Sequence, residues 1–159
     1  MPRARRAPST TDKEYAVSSL HIELVSPFVK GVKETFMTMM GWDVRRKDLH
    51  LKQGYKMFGD VSGLIGLSGT TTGTCAVSLP QDLAVSVVRK MLALPGDVMP
   101  EIADIQDCAG ELINMIAGCA KTTLSGTKFA FEMTLPTILS GGEHEIYIRK
   151  KNECVVIVF

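Results

Sequence analysis

A narrow polar line runs through an otherwise apolar stretch, PEIADIQDCAGELINMIAGCAK, which spans residues 100–121. A helix turns about 100° per residue, so the other residues of this line all fall within roughly 80° of Glu111: Asp104, Asp107, Asn114, Gly118 and Lys121. Glu111 offers an anionic acceptor, and the Asn114 amide both donates and accepts. Because residues three apart are neighbours on a helix, these two side chains can touch one partner together. They suit positioning chemistry, in which the carboxylate anchors a cation and the amide aims a water.

The same polar line could instead be the solvated edge of a buried helix. Acidic residues near a helix amino end suit the helix dipole, which accounts for Asp104 but fades before Glu111. Asp107 and Glu111 form a like-charge pair four residues apart, which costs a few tenths of a kcal/mol. Gly118 costs about 1 kcal/mol relative to alanine in a helix interior. These costs favour a face presented to another protein, but periodicity leaves both interpretations open.

Length and composition indicate one globular domain without a general affinity for nucleic acid or membranes. The chain has 159 residues, of which 45% are hydrophobic and 22% charged, and its formal net charge is +1. Such a balance exerts no global attraction on polyanions, and one Trp with three Tyr gives few platforms for stacking bases. The basic start lacks a long apolar run, so we expect residues 1–18 to be a disordered arm, residues 19–159 to form the domain, and the protein to be cytoplasmic.

Neither a metal centre nor a nucleophile–base pair is evident. The four cysteines form no CxxC motif, so we expect small reduced thiols: Cys75, Cys108, Cys119 and Cys154. Zinc requires clustered ligands, whereas the three histidines are scattered: His21, His50 and His144. No Ser-His-Asp arrangement is visible. A hard-cation site remains a weaker alternative, because oxygen ligands are available on one helix face: Asp107, Glu111 and Asn114.

Hydrophobic periodicity predicts three helices separated by strands. The first covers residues 19–40, with its regular part beginning near Ser26, Pro27 in its first turn and Gly41 as its stop. A second helix begins at Pro80 and ends at Leu94-Pro95-Gly96, and the third begins near Pro100. Strand-like segments cover residues 49–58, 60–68, 73–79 and 129–134, and a hairpin is predicted around residues 145–149 and 153–159. This order predicts an α+β fold with an antiparallel sheet packed against long helices.

The stretch DCAGELINMIAG resembles the signature helix of the CheC/CheX/FliY phosphatase family of bacterial chemotaxis. In that family an acidic or Ser residue is followed, at fixed spacing, by Glu and Asn, which are here Asp107, Glu111 and Asn114. The flanking GELINMIAGCAK is similar to CheX in particular, with Gly118 and Lys121 in the expected places. FEMTLPTILSGG and DVSGLIGLSG extend the resemblance, which covers roughly residues 19–159 and implies a CheC-like fold.

The resemblance implies a phosphatase that acts on the phospho-aspartate of a CheY-like response regulator. The regulator itself would carry the Mg²⁺, and this chain would bind no cofactor. By family analogy Glu111 pairs with a lysine of the regulator, Asn114 orients the attacking water, and Asp107, Gly118 and Lys121 contact the partner. The alternative function is a CheX-like binding module that holds a regulator or another signalling protein without hydrolysing its phosphate.

Two further expectations follow from the resemblance. CheC and FliY usually have a second motif on the first helix, but here Glu34 is followed three residues later by Met37 rather than Asn, so one site is expected. CheX relatives usually continue into one more strand after the position of Phe159, so an exposed sheet edge, or completion by another chain, is expected there. A homodimer joined through sheet edges is also implied.

Overall fold

A computed structural model describes residues 22–52, 59–142, 144 and 154–159. The described residues form three helices and six strands, in the order α1 (Ile22–Met40), β1 (Asp48–Leu51), β2 (Val61–Gly69), β3 (Gly73–Leu79), α2 (Gln81–Met91), α3 (Ile102–Leu124), β4 (Phe131–Met133), β5 (Thr137–Ser140) and β6 (Val155–Val158). The predicted α+β class with antiparallel strands is therefore confirmed. The predicted arm at residues 1–18 and the first strand of the predicted C-terminal hairpin, residues 145–149, lie outside the described residues.

The main sheet is organised around β2. On one edge β2 pairs antiparallel with β3, from Val61↔Leu79 to Leu67↔Gly73, as the predicted hairpin requires. Its other edge is shared by two short strands, with β5 alongside its first half and β4 alongside its end. A separate antiparallel pair joins β1 to β6. The edge-to-edge homodimer implied by the resemblance stays a prediction.

Helix α3 is the central element of the core. Its residues Leu112, Ile113, Ala117 and Ala120 have no exposed surface, which agrees with the wide apolar arc of the sequence. One side of α3 packs on β2, and its flanks pack against α1 and α2. Burial of this kind fixes the axis and rotation of α3, so the direction of its outward residues is also fixed.

Two glycines allow α3 to lie unusually close to its neighbours. A Cβ added at Gly63 of β2 would lie 2.8 Å from the Ala109 carbonyl oxygen. A Cβ added at Gly31 of α1 would lie 2.7 Å from the Ile116 carbonyl oxygen. Both distances are shorter than real Cβ contacts allow, so a larger residue at either position would push α3 away. A glycine inside a strand often marks a bulge or a close approach of another backbone, and at Gly63 the structure shows close packing against a helix.

The helix boundaries correct two predictions. Helix α1 begins at Ile22 rather than near Ser26, and Pro27 lies buried inside it. Proline removes the bond that its N–H would have donated to the Glu23 carbonyl, but this loss falls close to the helix start, where it disturbs few other bonds. Helix α2 begins at Gln81, with Pro80 as its extended N-cap, and ends at Met91, earlier than predicted.

The end of α1 follows the prediction. Gly41 adopts a φ of 70°, in the left-handed region that favours glycine. Its N–H donates to the Met37 carbonyl, and the Trp42 N–H donates to that of Phe36. No helix within the described ranges is long and apolar enough to cross a membrane.

Candidate functional site

Four residues of α3 form its outward edge, and we call them the outer line: Asp107, Glu111, Asn114 and Gly118. The sheet contacts α3 through Ala109 and Ile113, which lie roughly opposite Glu111 on the helix. The Asp107, Glu111 and Asn114 side chains are exposed, and Gly118 is half-buried. The structure therefore places the predicted catalytic pair side by side on the surface of a rigid helix.

The outer line is distinguished by its lack of internal bonds. No hydrogen bond or ion pair joins the Asp107, Glu111 or Asn114 side chain to any other residue that the structure describes. Other polar residues of the helix do have partners. Asp104 accepts a bond of 3.0 Å from the Glu101 N–H and so caps the helix start. Lys121 forms an ion pair with Glu132 of β4.

The carboxylates create a negative environment around this face. Burial raises the pKa of the neighbouring Cys108 thiol, and the charges of Asp104, Asp107 and Glu111 raise it further. A thiolate is disfavoured there because three negative groups lie close enough to oppose another negative charge. The same field would attract a cationic group of a partner, such as a lysine ammonium.

A groove lies beside Gly118, between α1 and α3. Its volume is about 420 Å³, and it is lined by residues of both helices: Lys30, Glu34, Met115, Gly118, Cys119, Thr122 and Thr123. A Cβ added at Gly118 would meet no atom within 4 Å. Unlike Gly31 and Gly63, Gly118 is therefore not required for close packing among the described residues. A partner side chain entering this groove would come close to the bare backbone of α3.

The corresponding position on α1 offers no second site. Glu34 is paired with Lys30, with 3.4 Å between the carboxylate oxygen and the ammonium nitrogen. Met37, three residues further on, is 49% exposed and has no polar group to orient a water. The expectation of a single Glu–Asn pair agrees with these contacts.

A serine–histidine pair that the sequence did not reveal lies elsewhere, behind the sheet. The Gly141 carbonyl can only accept, so His144 Nδ1 donates to it at 3.0 Å, and Nε2 then accepts from Ser62 Oγ at 2.7 Å. Ser62 also bonds Ser78 Oγ at 2.6 Å. Ser62 is 0% exposed, so no substrate can reach its hydroxyl. The network connects His144 to β2 and β3.

The hard-cation alternative, with ligands from Asp107, Glu111 and Asn114, stays a hypothesis. Among the residues that the structure describes, no three His, Cys, Asp or Glu side chains come together as metal ligands. All four cysteines are free, with Cys108 buried and the other three half-buried.

Comparison with known proteins agrees with this geometry. A family profile described as "Chemotaxis phosphatase CheX" matches residues 61–159, more than half of the chain. No curated protein sequence gives a significant match.

Solved structures with the same fold include two close in length. A CheC-like superfamily protein from Shewanella sp. PV-4 is 29% identical, with a TM-score of 0.77 over 87% of this chain and 89% of that one. Chemotaxis protein CheX from Desulfovibrio desulfuricans is 30% identical, with a TM-score of 0.76 over 85% of this chain and 89% of that one.

A third similar structure is the CheX–CheY–BeF₃–Mg²⁺ complex from Borrelia burgdorferi. It is 23% identical, with a TM-score of 0.61 over 74% of this chain and 77% of that one, and it supports the fold alone. The family profile, the two longer alignments and the placement of the Glu–Asn pair on α3 agree. The chain belongs to the CheX family of chemotaxis phosphatases.

Proposed function

We propose that this protein hydrolyses the phospho-aspartate of a CheY-like response regulator, with Glu111 and Asn114 entering the regulator's phosphorylation site. The observation that carries the proposal is the adjacent, exposed and internally unpartnered placement of these two side chains on α3. Membership of a family of chemotaxis phosphatases supports the reaction class. The Borrelia burgdorferi CheX structure contains CheY, BeF₃ and Mg²⁺, which supports the choice of partner.

The proposed role of Asn114 is to orient the attacking water. Water oxygen forms a bond to phosphorus while the bond from phosphorus to the aspartate oxygen breaks, giving inorganic phosphate and a free carboxylate. Such phosphoryl transfers are catalysed mainly by positioning and electrostatics, and an amide that aims a water is the device used by GTPase glutamines. Asn114 suits this role because no described residue competes for its amide.

The proposed role of Glu111 is to dock the regulator through one of its lysines. Glu111 lies three residues before Asn114, so an ion pair at Glu111 sets the depth to which the amide enters the site. The nearby Asp107 carboxylate adds to the attraction of cationic groups. We propose that the regulator supplies the Mg²⁺ that the reaction needs beside the phosphoryl group. The Borrelia burgdorferi complex, which contains CheY, BeF₃ and Mg²⁺, supports this choice.

The proposal is tested by phosphate release from a purified CheY-like regulator that has been phosphorylated with a small-molecule phosphodonor in the presence of Mg²⁺. We expect Asn114→Ala to lower kcat by on the order of 10²-fold or more, the range for loss of one positioned polar catalytic group. Glu111→Ala should mainly raise KM. An Asn114→Ala protein that retains the wild-type rate would refute the catalytic assignment.

Gln106→Ala is a matched control for Asn114→Ala. It removes a carboxamide from the same helix, but Gln106 lies off the outer line, where its Nε2 donates to Ser140 Oγ at 2.8 Å. We expect this variant to keep the wild-type rate, since surface substitutions away from a site have small effects. Tight regulator binding without phosphate release by the wild-type chain would instead indicate a binding module.

A further inference from the structure

The strand pair beside the outer line contains a one-residue bulge. Leu67 of β2 faces Met133, and Leu64 faces Thr137. Two residues of β2 therefore lie opposite three residues of the partner segment, residues 134–136. Bulges of this type redirect a side chain and occur frequently next to functional sites.

Leu135 is the middle residue of this bulge, and its side chain is 88% exposed. A single exposed leucine is ordinary on protein surfaces, but the backbone around this one is firmly held. Thr134 Oγ1 accepts from the Gly66 N–H at 2.9 Å and donates to the Leu135 carbonyl at 3.0 Å. Pro136 restricts the conformation of the residue before it. The leucine is thus presented to solvent by a rigid segment.

Contacts at both ends of this segment place it along the Asn114 side of α3. A Cβ added at Gly110 would lie 3.4 Å from Ile138 and 3.9 Å from Pro136. At the other end, Lys121 pairs with Glu132. Asn114 lies one helical turn beyond Gly110 and on the same side of α3 as Lys121, so the bulge runs past it.

We propose that Leu135 is a docking residue for the receiver domain of the phosphorylated regulator, and that it determines affinity rather than the chemical step. This inference rests on the proposed function, because the receiver domain is the partner that would already contact the outer line. A regulator seated over Asn114 would extend over the bulge, since the two lie side by side. Because the backbone at Leu135 is already held in place, little backbone ordering is needed when a partner covers this side chain, and burial of its apolar surface would contribute to affinity.

The test compares Leu135→Ser with Leu92→Ser in the phosphate-release assay. Leu92 is also an exposed leucine, at 48%, but it caps α2, which packs against the opposite flank of α3. We expect Leu135→Ser to raise KM about tenfold or more, as for loss of one interface anchor, and to leave kcat within about twofold. Leu92→Ser should have the KM and kcat of the wild type.

Affinity for the regulator activated with beryllofluoride and Mg²⁺ gives a readout that does not require hydrolysis. Leu135→Ser should weaken this binding by the same factor as it raises KM. Wild-type KM and affinity in Leu135→Ser would overturn the inference and leave the phosphatase proposal intact. A wild-type chain that binds the activated regulator without releasing phosphate would overturn the phosphatase proposal. The affinity of Leu135→Ser for the activated regulator would then decide whether Leu135 is a docking residue. A wild-type chain that does not bind the regulator would overturn both.

Discussion

Replacing Gly118 with alanine should stabilise the protein. Gly118 lies inside α3, where glycine is about 1 kcal/mol less favourable than alanine. A Cβ at this position would meet no atom within 4 Å, so no steric penalty offsets the gain. We expect the free energy of unfolding to rise by about 1 kcal/mol, which for a chain of this size is about 2–4 °C in Tm.

Gly31→Ala is the matched control, because it makes the same change in α1 with the opposite surroundings. Its Cβ would lie 2.7 Å from the Ile116 carbonyl oxygen, so α1 and α3 would have to separate. We expect a loss of roughly 1–3 kcal/mol, the range for overpacking a core. Urea titrations of both variants give the two values on one scale. A Gly118→Ala protein less stable than the wild type would show that the α3 surface around Gly118 is not open as described.

Activity should respond to side-chain size at position 118 rather than to stability. Gly118→Leu introduces another good helix former, so it should fold, but its side chain would occupy the groove between α1 and α3. We expect kcat/KM to fall about tenfold or more if the regulator uses this groove, equivalent to losing about 1.4 kcal/mol of interaction. Full activity in Gly118→Leu would refute a partner contact at Gly118.

Two further predictions concern Lys121 and Cys75. Lys121→Met removes an exposed ion pair, so the free energy of unfolding should change by less than about 1 kcal/mol. If Lys121 contacts the regulator, the kcat/KM of this variant should fall. Glu132→Gln removes the same ion pair but keeps the lysine, so its kcat/KM should equal that of the wild type. Burial raises the pKa of the Cys75 thiol from 9.0 to about 12. As pH rises from 9 towards 12, the thiol therefore ionises in the unfolded chain before it ionises in the folded one, and the free energy of unfolding should decrease. This group can contribute at most about 1.4 kcal/mol per pH unit to the decrease. Cys75→Ala should flatten that decrease, and identical pH profiles for the two proteins would show that the surroundings of Cys75 do not disfavour its thiolate.

The sequence predicted those parts of the fold that depend on periodicity. Helix α3 and the β2–β3 hairpin were found because their apolar patterns continue for several turns or alternations. Strand β5 was missed, because it is only four residues long and follows the Leu135-Pro136 interruption. Its pairing depends on β2, which is distant in sequence, and no local pattern encodes such a contact.

The sequence proposed the residues of the candidate site, but it could not predict their surroundings. Glu111 and Asn114 could be identified from their spacing and from the family resemblance, and the structure places both on the surface. The ion pair between Lys121 and Glu132 could not be predicted, because it depends on how β4 lies against α3. The exposure of Leu135 likewise depends on a register difference between two strand pairs, which single-sequence reasoning does not reveal.

One comparison separates the proposed functional residues of α3 from its structural ones. Residues that lower the stability of a helix, such as an interior glycine or a like-charge pair, are expected to be offset by a contact within the protein or by a contact with a partner. Asp104 has such a contact in the cap at Glu101. The Asp107–Glu111 repulsion and Gly118 have no such contact among the described residues. These costs fall on the outer line, which is the pattern expected where a partner protein provides the missing interactions.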